Sequence, residues 1–276
     1  MTHSDDVVDR NAMQAFIDQY GGRATKLPPL TIVIAAYNEE GSIGPVIEAL
    51  PQTIAGLEVA KIVVSDGSMD ATVKEADAAG ALVCDVPVNR GQGAALRLGY
   101  LLAREGGTEY IVTTDADGQY NPAEIEILLQ PLLAGHADFV TGSRTKGSEE
   151  TTDPVRKLGV RVFALTISLL TGQRVSDPSF GLRAMRAEVT GTVRLLQPQY
   201  QSAELLIGVI THGYKVAEVP ATIHKRRIGE SKKGPNTFYA LHFAGVIART
   251  WWRERQRRAR GSARRSPASS KGTGLL

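Results

Sequence analysis

Two aspartates and a glutamine alternate with other residues in the stretch Asp115-Ala116-Asp117-Gly118-Gln119. Carboxylate and amide oxygens are hard ligands of the kind that Mg²⁺ and Mn²⁺ take, and phosphate oxygens can fill the remaining coordination positions. A divalent ion on Asp115, Asp117 and Gln119 could bridge a diphosphate and stabilise the charge of a departing nucleotide. Taken alone, the stretch could equally be an ordinary acidic turn, because Asp and Gly are common in turns.

The residues on either side predict how the two carboxylates are held. The apolar run 110–114 predicts a buried strand that ends at Asp115. Further along, Asn121 is a good N-cap, Pro122 suits the first helical position and Glu124 could complete a capping box. The helix that follows is expected to bury an aliphatic stripe at helical spacing, formed by Ile125, Leu128, Leu129, Leu132 and Leu133.

The rest of the amino-terminal half repeats this design of a strand followed by a helix. The alternation predicts an α/β fold, Rossmann-like, with a mainly parallel sheet and helices on both faces. Ligands bind at the carboxyl ends of the strands in such sheets, and polar clusters follow the predicted strands at 37–39, 66–68, 90–93, 115–119 and 143–144. The glycines at 91 and 93 do not make the dinucleotide-binding fingerprint, which argues against an NAD enzyme.

The length of 276 residues and the hydrophobic share of 42% fit one substantial globular domain with extensions. We expect an N-terminal extension over 1–29, the α/β domain over 30–235, an amphipathic C-terminal helix over 236–258 and a basic disordered tail over 259–276. Residues 253–265 carry seven arginines against one glutamate. Such a segment is either a solvated appendage or a contact for anionic lipid or nucleic acid.

The sequence also predicts where the chain works. The single cysteine, Cys84, cannot form an internal disulfide, and residues 1–29 lack the apolar core of a signal peptide, so we expect a cytoplasmic protein. No run reaches the roughly 20 apolar residues that span a bilayer. Trp251 and Trp252, followed by arginines, suit the cytoplasmic face of a membrane, and a packed terminal helix is the alternative.

Seven stretches along the chain occur in an order that carries more information than any one of them. They are IAAYNE (34–39), VSDGSMD (64–70), NRGQGAA (89–95), DADGQ (115–119), GSR (142–144), SD (176–177) and RRIGESK (226–232). Together they resemble the family 2 glycosyltransferases of the GT-A fold, and among these the dolichol-phosphate and polyprenyl-phosphate mannose synthases. The resemblance covers roughly residues 30–233.

The resemblance implies a metal-dependent, inverting transfer of a hexose from a nucleotide sugar to a polyprenyl phosphate at a membrane surface. It implies GDP-mannose as the donor, with UDP-glucose second, Mg²⁺ or Mn²⁺ as the cofactor, and no nucleic-acid partner. The residues expected to bind the nucleotide sugar are Ala35, Tyr37, Glu39, Asp66, Asp115, Ala116, Arg226 and Lys232.

For the other half of the reaction the resemblance implies that Arg144 and Arg156 receive the acceptor phosphate, since guanidinium groups bind phosphate oxygens bidentately. Asp117 and Asp177 are the expected catalytic residues. Asp177 would act as a general base if the acceptor were a sugar hydroxyl. A phosphate monoester has a second pKa of about 6 and needs no base, in which case Asp177 only orients its loop.

Three alternatives stay open at this point. The nearest is a family 2 enzyme that uses UDP-glucose or another nucleotide sugar with a sugar or natural-product hydroxyl as acceptor. A catalytically silent protein that binds membrane or nucleic acid through its basic tail would show no turnover. A nucleotidyltransferase also uses paired acids in an α/β fold, but it would release pyrophosphate.

Overall fold

The computed structural model describes residues 3–150, 154–226 and 236–265. The helices are α1 (His3–Tyr20), α2 (Gly22–Thr25), α3 (Ile43–Ala49), α4 (Thr72–Ala78), α5 (Gln92–Glu105), α6 (Glu124–Leu133), α7 (Pro154–Thr171), α8 (Ala187–Thr192), α9 (Gln201–Thr211) and α10 (Asn236–Arg265). The strands are β1 (Leu30–Ala36), β2 (Thr53–Ile54), β3 (Leu57–Asp66), β4 (Leu82–Val86), β5 (Tyr110–Asp115), β6 (Phe139–Glu149), β7 (Arg183–Arg186) and β8 (Val216–Ile223).

The strands form one mainly parallel sheet, which confirms the predicted fold class. Its order is β2-β3-β1-β5-β7-β6-β8, and β4 pairs with β3. The neighbours β4, β3, β1 and β5 are parallel, as are β6 and β8, whereas β7 runs antiparallel between β5 and β6. The sequence pattern predicts neither β7 nor β2, because β7 is four residues long with an arginine at each end and β2 has only two residues.

A hydrophobic core lies on each face of the sheet. In β1, Ile32 and Ile34 belong to the core under α3, α4 and α6, whereas Val33 belongs to the core under α1, α5, α9 and α10. All three side chains are fully buried. A strand buried on both faces reads as a continuous apolar run, which is why the segment was recognisable without alternation.

Helix α6 buries most of the predicted stripe but begins differently from the prediction. The helix begins at Glu124 with Ala123 as its N-cap, so the predictions of Asn121 as the N-cap and of Pro122 as the first helical residue are wrong. The Asn121 side chain instead accepts the N–H of Ala123 at 3.0 Å in the turn before the helix. The capping-box prediction is wrong, because the carboxylate of Glu124 accepts the N–H of Thr222 at 3.1 and 3.0 Å and so ties α6 to β8. Leu133 is 41% exposed, whereas the other four residues of the stripe are buried: Ile125, Leu128, Leu129 and Leu132.

The segment that precedes β1 packs as part of the same body. Ala12 and Phe16 of α1 are buried in the core that contains α5 and β4. The Tyr20 hydroxyl donates to Asp77 at 2.9 Å and accepts the N–H of Val83 at 2.9 Å, which fixes α1 to α4 and β4. Helix α1 therefore covers a face of the sheet.

Helix α10 runs from Asn236 to Arg265, past the expected boundary at residue 258. Phe243, Val246 and Ile247 are buried, so this part of the helix is packed against the domain. The remaining residues of the expected tail, 266–276, lie outside the described residues. In the described part of the chain we find no helix whose length and apolar character together would allow it to cross a bilayer.

A buried ion pair fastens α10 to the domain. Glu204 of α9 is completely buried, and one of its carboxylate oxygens accepts the N–H groups of Leu196 and Gln197 at 2.9 Å. Arg253 of α10 donates to its other oxygen at 2.7 Å and also binds the carbonyl of Arg194 at 2.9 Å. The pair thus joins the terminal helix to the loop that precedes α9.

We expect Arg253→Ala to lower the free energy of unfolding by about 3 to 5 kcal/mol, because it leaves the Glu204 charge buried without its cation. Urea denaturation monitored by circular dichroism measures this change. The control is Arg257→Ala, because Arg257 is 44% exposed and lies 3.9 Å from Glu254. Its effect should stay within about 0.5 kcal/mol. Equal denaturation midpoints for Arg253→Ala and the wild type would contradict the role given to this pair.

Candidate active site

The carboxyl ends of β1, β3 and β5 bring the predicted clusters together. Asp115 is the last residue of β5 and lies beside Ala35 in the sheet, and Ala35 in turn lies beside Val64 of β3. Asp117 and Gln119 follow in the turn after β5. The parallel register therefore places the acidic turn next to the end of β1, with the end of β3 one strand further along the same edge of the sheet.

Asp117 is held by contacts at both carboxylate oxygens. It is 7% exposed. Its Oδ1 accepts the N–H of Gln119 at 3.1 Å, which closes the turn, and its Oδ2 accepts Nη2 of Arg226 at 2.8 Å. Arg226 also lies 3.9 Å from Glu39. A guanidinium cation therefore bridges the acid after β5 and the acid after β1.

Asp115 lies in close contact with the loop before β7. Its Oδ1 accepts Nε2 of Gln92 at 3.1 Å. A Cβ atom added to Gly181 would lie 2.8 Å from Asp115 Oδ2 and 2.7 Å from the Tyr120 hydroxyl, so only glycine allows this approach. The Gly181 N–H donates to the Tyr120 hydroxyl at 2.8 Å. Burial raises the pKa of Tyr120 well above its usual value, so this hydroxyl stays neutral.

Gln119 connects the acidic turn to the end of β8. Its Nε2 donates to the carbonyl of His224 at 2.8 Å, and its carbonyl accepts the N–H of His224 at 2.9 Å. Because the amide nitrogen is used in this way, the amide oxygen is the atom that can face a cation. In the part of the chain that the structure describes, no three His, Cys, Asp or Glu side chains are grouped to hold a metal.

Two turns that contain residues expected to bind the nucleotide are bonded to each other. The N–H of Asn38 donates to Ser68 Oγ at 3.1 Å, and the N–H of Met69 donates to Asn38 Oδ1 at 2.9 Å. Asn38 has a φ of 51°, in the left-handed region that Asn tolerates. Tyr37, at the head of its turn, is 36% exposed. The turns after β1 and β3 therefore form one unit.

The carboxylate of Asp66 supports a backbone turn. It accepts the N–H of Arg90 at 3.1 and 3.0 Å and the N–H of Gly91 at 2.6 Å, and the residue is 2% exposed. Burial raises the pKa of Asp66 and outweighs the two N–H donors, which lower it. Asp66 thus shapes the turn before α5, and a role in holding the base or ribose stays a prediction.

The other residues expected at the nucleotide differ in accessibility. Ala35 is half-buried, whereas Ala116 is 4% exposed and packs in the core beneath α6. Glu39 accepts the Ser42 hydroxyl at 3.0 Å. Lys232 lies outside the described residues.

A buried ion pair occupies the position expected for the acceptor. Asp177 is completely buried, and its Oδ2 accepts Arg144 Nε at 2.6 Å. Its Oδ1 accepts both the N–H and the hydroxyl of Ser179 at 3.2 Å. Arg144 Nη1 lies 3.4 Å from Glu149. Burial is the largest effect and lowers the pKa of Arg144, but the charge and hydrogen bond of Asp177, together with Tyr120 and Glu149, raise the pKa above its usual value.

These contacts bear on the two roles expected for Asp177. A general base needs a carboxylate oxygen that can reach the acceptor hydroxyl, and both oxygens of Asp177 accept hydrogen bonds from its own loop and from Arg144. The geometry therefore favours the loop-orienting role. Arg156, the second residue expected at the acceptor phosphate, lies in the first turn of α7. The position of its side chain is not described.

Sequence reasoning missed several residues that shape the site. Gln92 and Gly181 contact Asp115, and Tyr120 contacts Gly181. Glu218 of β8 binds the Ser176 hydroxyl at 2.7 Å and the N–H of Asp177 at 3.2 Å. A glycine that follows Phe180 in a polar loop was the one local signal, because close approach of a carboxylate requires a residue without a side chain.

Comparisons with known proteins agree with this architecture. Two relatives are a dolichyl-phosphate hexose transferase from Haloferax volcanii and a polyprenol monophosphomannose synthase from Mycolicibacterium smegmatis. The first is 34% identical over 75% of this chain and 87% of its own length. The second is 32% identical over 84% of this chain and 91% of its own length.

A solved structure and a family model give the fold and the family. Glucosyl-3-phosphoglycerate synthase from Mycobacterium tuberculosis, solved with Mn²⁺, uridine diphosphate and phosphoglyceric acid, superposes with a TM-score of 0.66. It is 23% identical over 86% of this chain and 82% of its own, which shows the GT-A fold alone. The model described as Glycosyl transferase family 2 matches residues 31–194. This chain therefore belongs to glycosyltransferase family 2 and is a glycosyltransferase of the GT-A fold.

Proposed function

We propose that this enzyme transfers a hexose from a nucleotide sugar to the phosphate of a polyprenyl phosphate, with inversion at the anomeric carbon and with a divalent cation. The observation that carries the proposal is the acidic turn at the end of β5, where Asp117 binds the Arg226 cation at 2.8 Å. Asp115 lies in the same turn, next to the end of β1 and the unit formed by residues 37–39 and 66–70. The acceptor class is supported by the two relatives, whose names state a dolichyl phosphate and a polyprenol.

The residues at this turn fit Mg²⁺ or Mn²⁺. Mg²⁺ is usually bound by one or two carboxylates together with substrate phosphates, so Asp115, Asp117 and the amide oxygen of Gln119 suffice as the protein's share. Asp117 Oδ2 already binds one cation, the Arg226 guanidinium, so this oxygen is suited to bind a metal ion. When bound, the ion supplies positive charge that stabilises the leaving nucleoside diphosphate.

We propose mannose from GDP-mannose as the transferred group, with glucose from UDP-glucose as the competing choice. The M. smegmatis relative, named for mannose, supports the first. Tyr37 is an aromatic residue, 36% exposed, beside Asn38 and Glu39, and a base could stack on its ring. Ala35, Asp115 and Ala116 line the adjacent strand ends. Arg226, already between Glu39 and Asp117, would turn to the diphosphate once the metal is in place.

On the acceptor side we propose that a phosphate attacks without a general base. A phosphate monoester is largely dianionic at neutral pH, and Asp177 is committed to Arg144 and Ser179. Asp177 then acts as a positioning residue for the loop and for Arg144. Glu149, at 3.4 Å, is the more distant of the two carboxylates on Arg144, so an acceptor phosphate would compete with Glu149 for Nη1. Arg156 is the second proposed phosphate ligand.

The deciding experiment measures release of nucleoside diphosphate from GDP-mannose and UDP-glucose with Mg²⁺ or Mn²⁺, with and without a short polyprenyl phosphate. We expect release that depends on both the metal and the lipid phosphate, with GDP-mannose the better donor. Release that follows a soluble hydroxyl acceptor and ignores the lipid phosphate would refute the proposed acceptor. Release of pyrophosphate would refute glycosyl transfer itself.

In the same assay we expect Asp117→Asn to lower turnover by at least about 100-fold, because a neutral amide is a weak ligand for the cation that stabilises the leaving group. Asp18→Asn is the matched control, since Asp18 is an exposed residue of α1 whose partner is Gln14 at 2.7 Å. Asp18→Asn should retain wild-type turnover. Full activity in Asp117→Asn would show that this turn does not bind the metal ion.

Arg226 and the divalent ion should compete for Asp117. We expect Arg226→Gln to tighten Mn²⁺ binding in the absence of nucleotide by about fivefold, because the cation no longer displaces a partly exposed guanidinium. Electron paramagnetic resonance of free Mn²⁺ measures this affinity without any turnover. Arg226→Lys, which keeps the charge, should bind Mn²⁺ like the wild type. Weaker Mn²⁺ binding in Arg226→Gln would show that the metal does not use this oxygen.

A further inference from the structure

Helix α7 presents an unusual number of large aliphatic side chains to solvent. It carries five of them, which we call the apolar stripe: Val155 (62% exposed), Leu158 (63%), Val162 (52%), Leu165 (61%) and Leu169 (76%). Elsewhere in the described part of the chain, no other element exposes more than two large hydrophobic side chains. A contiguous exposed apolar surface of this kind marks an interaction site.

The spacing of the apolar stripe places it on one side of α7. Its members are separated by three and four residues in turn, which is the spacing of a single helix face. The opposite face is the packed one, where Val160, Phe163, Ala164 and Ile167 are buried. The helix is thus apolar on both sides: one side is buried in the core and the other is exposed to solvent.

The charges on α7 are all of one sign. The helix contains no aspartate or glutamate, and its basic residues are Arg156, Lys157 and Arg161. Lys157 and Arg161 are exposed. A helix with an exposed apolar face bordered by cations and without acids has the character of helices that lie in the interface of an anionic membrane.

Helix α10 extends this surface. The ring of Phe243 lies 4.5 Å from that of Phe163, and Trp251 Nε1 donates to the carbonyl of Leu170 at 2.9 Å. These two contacts, seven residues apart on α7 and eight apart on α10, show that the helices run side by side in the same direction. Trp252, which is 59% exposed, therefore lies near the carboxyl end of the apolar stripe.

We propose that the exposed face of α7, with Trp252 at its end, binds the surface of a membrane that contains anionic lipid. The spacing alone would also suit a second copy of this chain. Charge decides between the two occupants. Two copies of α7 would place two lysines and two arginines (Lys157 and Arg161 from each copy) in one interface, with no carboxylate on either helix.

Anionic headgroups provide the missing counter-charge. The α7 helix begins at Pro154, shortly after β6, the strand of Arg144. The docked face would then lie beside the residues proposed to bind the acceptor phosphate, Arg144 and Arg156; this last point rests on the proposed function.

The test is co-sedimentation of the full chain with vesicles that contain no polyprenyl phosphate. We expect binding to vesicles of phosphatidylcholine with phosphatidylglycerol, and weaker binding to phosphatidylcholine alone. The double variant Leu165→Asn/Leu169→Asn should weaken vesicle binding by about tenfold or more, because two leucines lose their buried area in the interface. The matched control is Ile127→Asn/Leu133→Asn, which changes two exposed aliphatic residues of α6 and should bind like the wild type.

Two results would overturn the proposal. One is equal vesicle binding by the α7 variant and the α6 variant. The other is a wild type that ignores vesicles but sediments as a dimer, with Leu165→Asn/Leu169→Asn monomeric. Should the leucine variant not fold, Lys157→Glu/Arg161→Glu tests the same face through its charge, and it should lose the preference for phosphatidylglycerol. Because no step requires sugar transfer, failure of the proposed function would leave this test intact.

A separate observation concerns Asp9 of α1. Its Oδ1 lies 2.7 Å from Nη2 of Arg90, and its Oδ2 lies 3.9 Å from Nη2 of Arg97. The N–H of Arg90 is one of the two that the Asp66 carboxylate holds. Asp9 is 9% exposed, so this charge is withdrawn from solvent. A residue of the N-terminal helix therefore anchors the side chain of the same arginine whose backbone binds Asp66.

We infer that Asp9 is a positioning residue for the nucleotide side of the site, acting through Arg90 on the turn at residues 89–91. The inference rests on the proposed function for its kinetic consequence. We expect Asp9→Asn to raise the KM for the nucleotide sugar by about three- to tenfold with kcat within about twofold, because binding and not chemistry depends on the turn.

Hydrogen exchange provides the readout that does not need turnover. In Asp9→Asn the amides of residues 89–91 should exchange faster than in the wild type, whereas Asp18→Asn on the same helix should match the wild type. Unchanged exchange at 89–91 in Asp9→Asn would overturn the inference, and so would a kcat that falls while KM stays constant. If the wild type transferred no sugar, the proposed function would fail, and the exchange result would still decide the role of Asp9.

Discussion

The loops at the carboxyl edge of the sheet have backbone N–H groups that no strand or helix satisfies, and buried carboxylates satisfy them. Asp66 holds the turn before α5, Glu204 the segment before α9, and Glu218 and Asp177 together the loop before β7. An unpaired buried N–H costs free energy comparable to a lost hydrogen bond. The irregular backbone at this edge can therefore be rigid and buried at once, which is what a preorganised site needs.

This use of carboxylates divides the acids at the site into two kinds. Asp66 and Asp177 are buried, with their oxygens directed at the protein's own backbone and at Arg144. Asp117 closes its turn with one oxygen and offers the other to the Arg226 cation. Of these three acids, only Asp117 contacts a cation that is partly exposed, which is the arrangement that the proposed metal site requires. The other two hold the backbone around it.

Much of the fold was predictable because its signals are local. The buried strands are continuous apolar runs, and the stripe of α6 follows helical spacing, so both could be predicted from the sequence. The contacts at the site were not predictable, because Arg226 and Asp117 are 109 positions apart in the chain and nothing local links them. Glu124 is a second example of a contact that could not be predicted. Its neighbours in the sequence indicated a capping box, but its carboxylate binds the distant Thr222 instead. The sequence identified the acids but not whether each faces a ligand or the backbone.

Strand β7 follows β6 in the chain but lies between β5 and β6 in the sheet. The second edge of β5 therefore has no partner until residues 183–186 have been synthesised. During that interval a nascent chain exposes the edge of a central apolar strand, which is the kind of surface that pairs with other chains. Closing the sheet requires a pairing between residues about 70 positions apart, and such non-local pairings form slowly. The strand order that brings Gly181 to Asp115 thus leaves one edge of a central strand open to misassociation until β7 pairs with it.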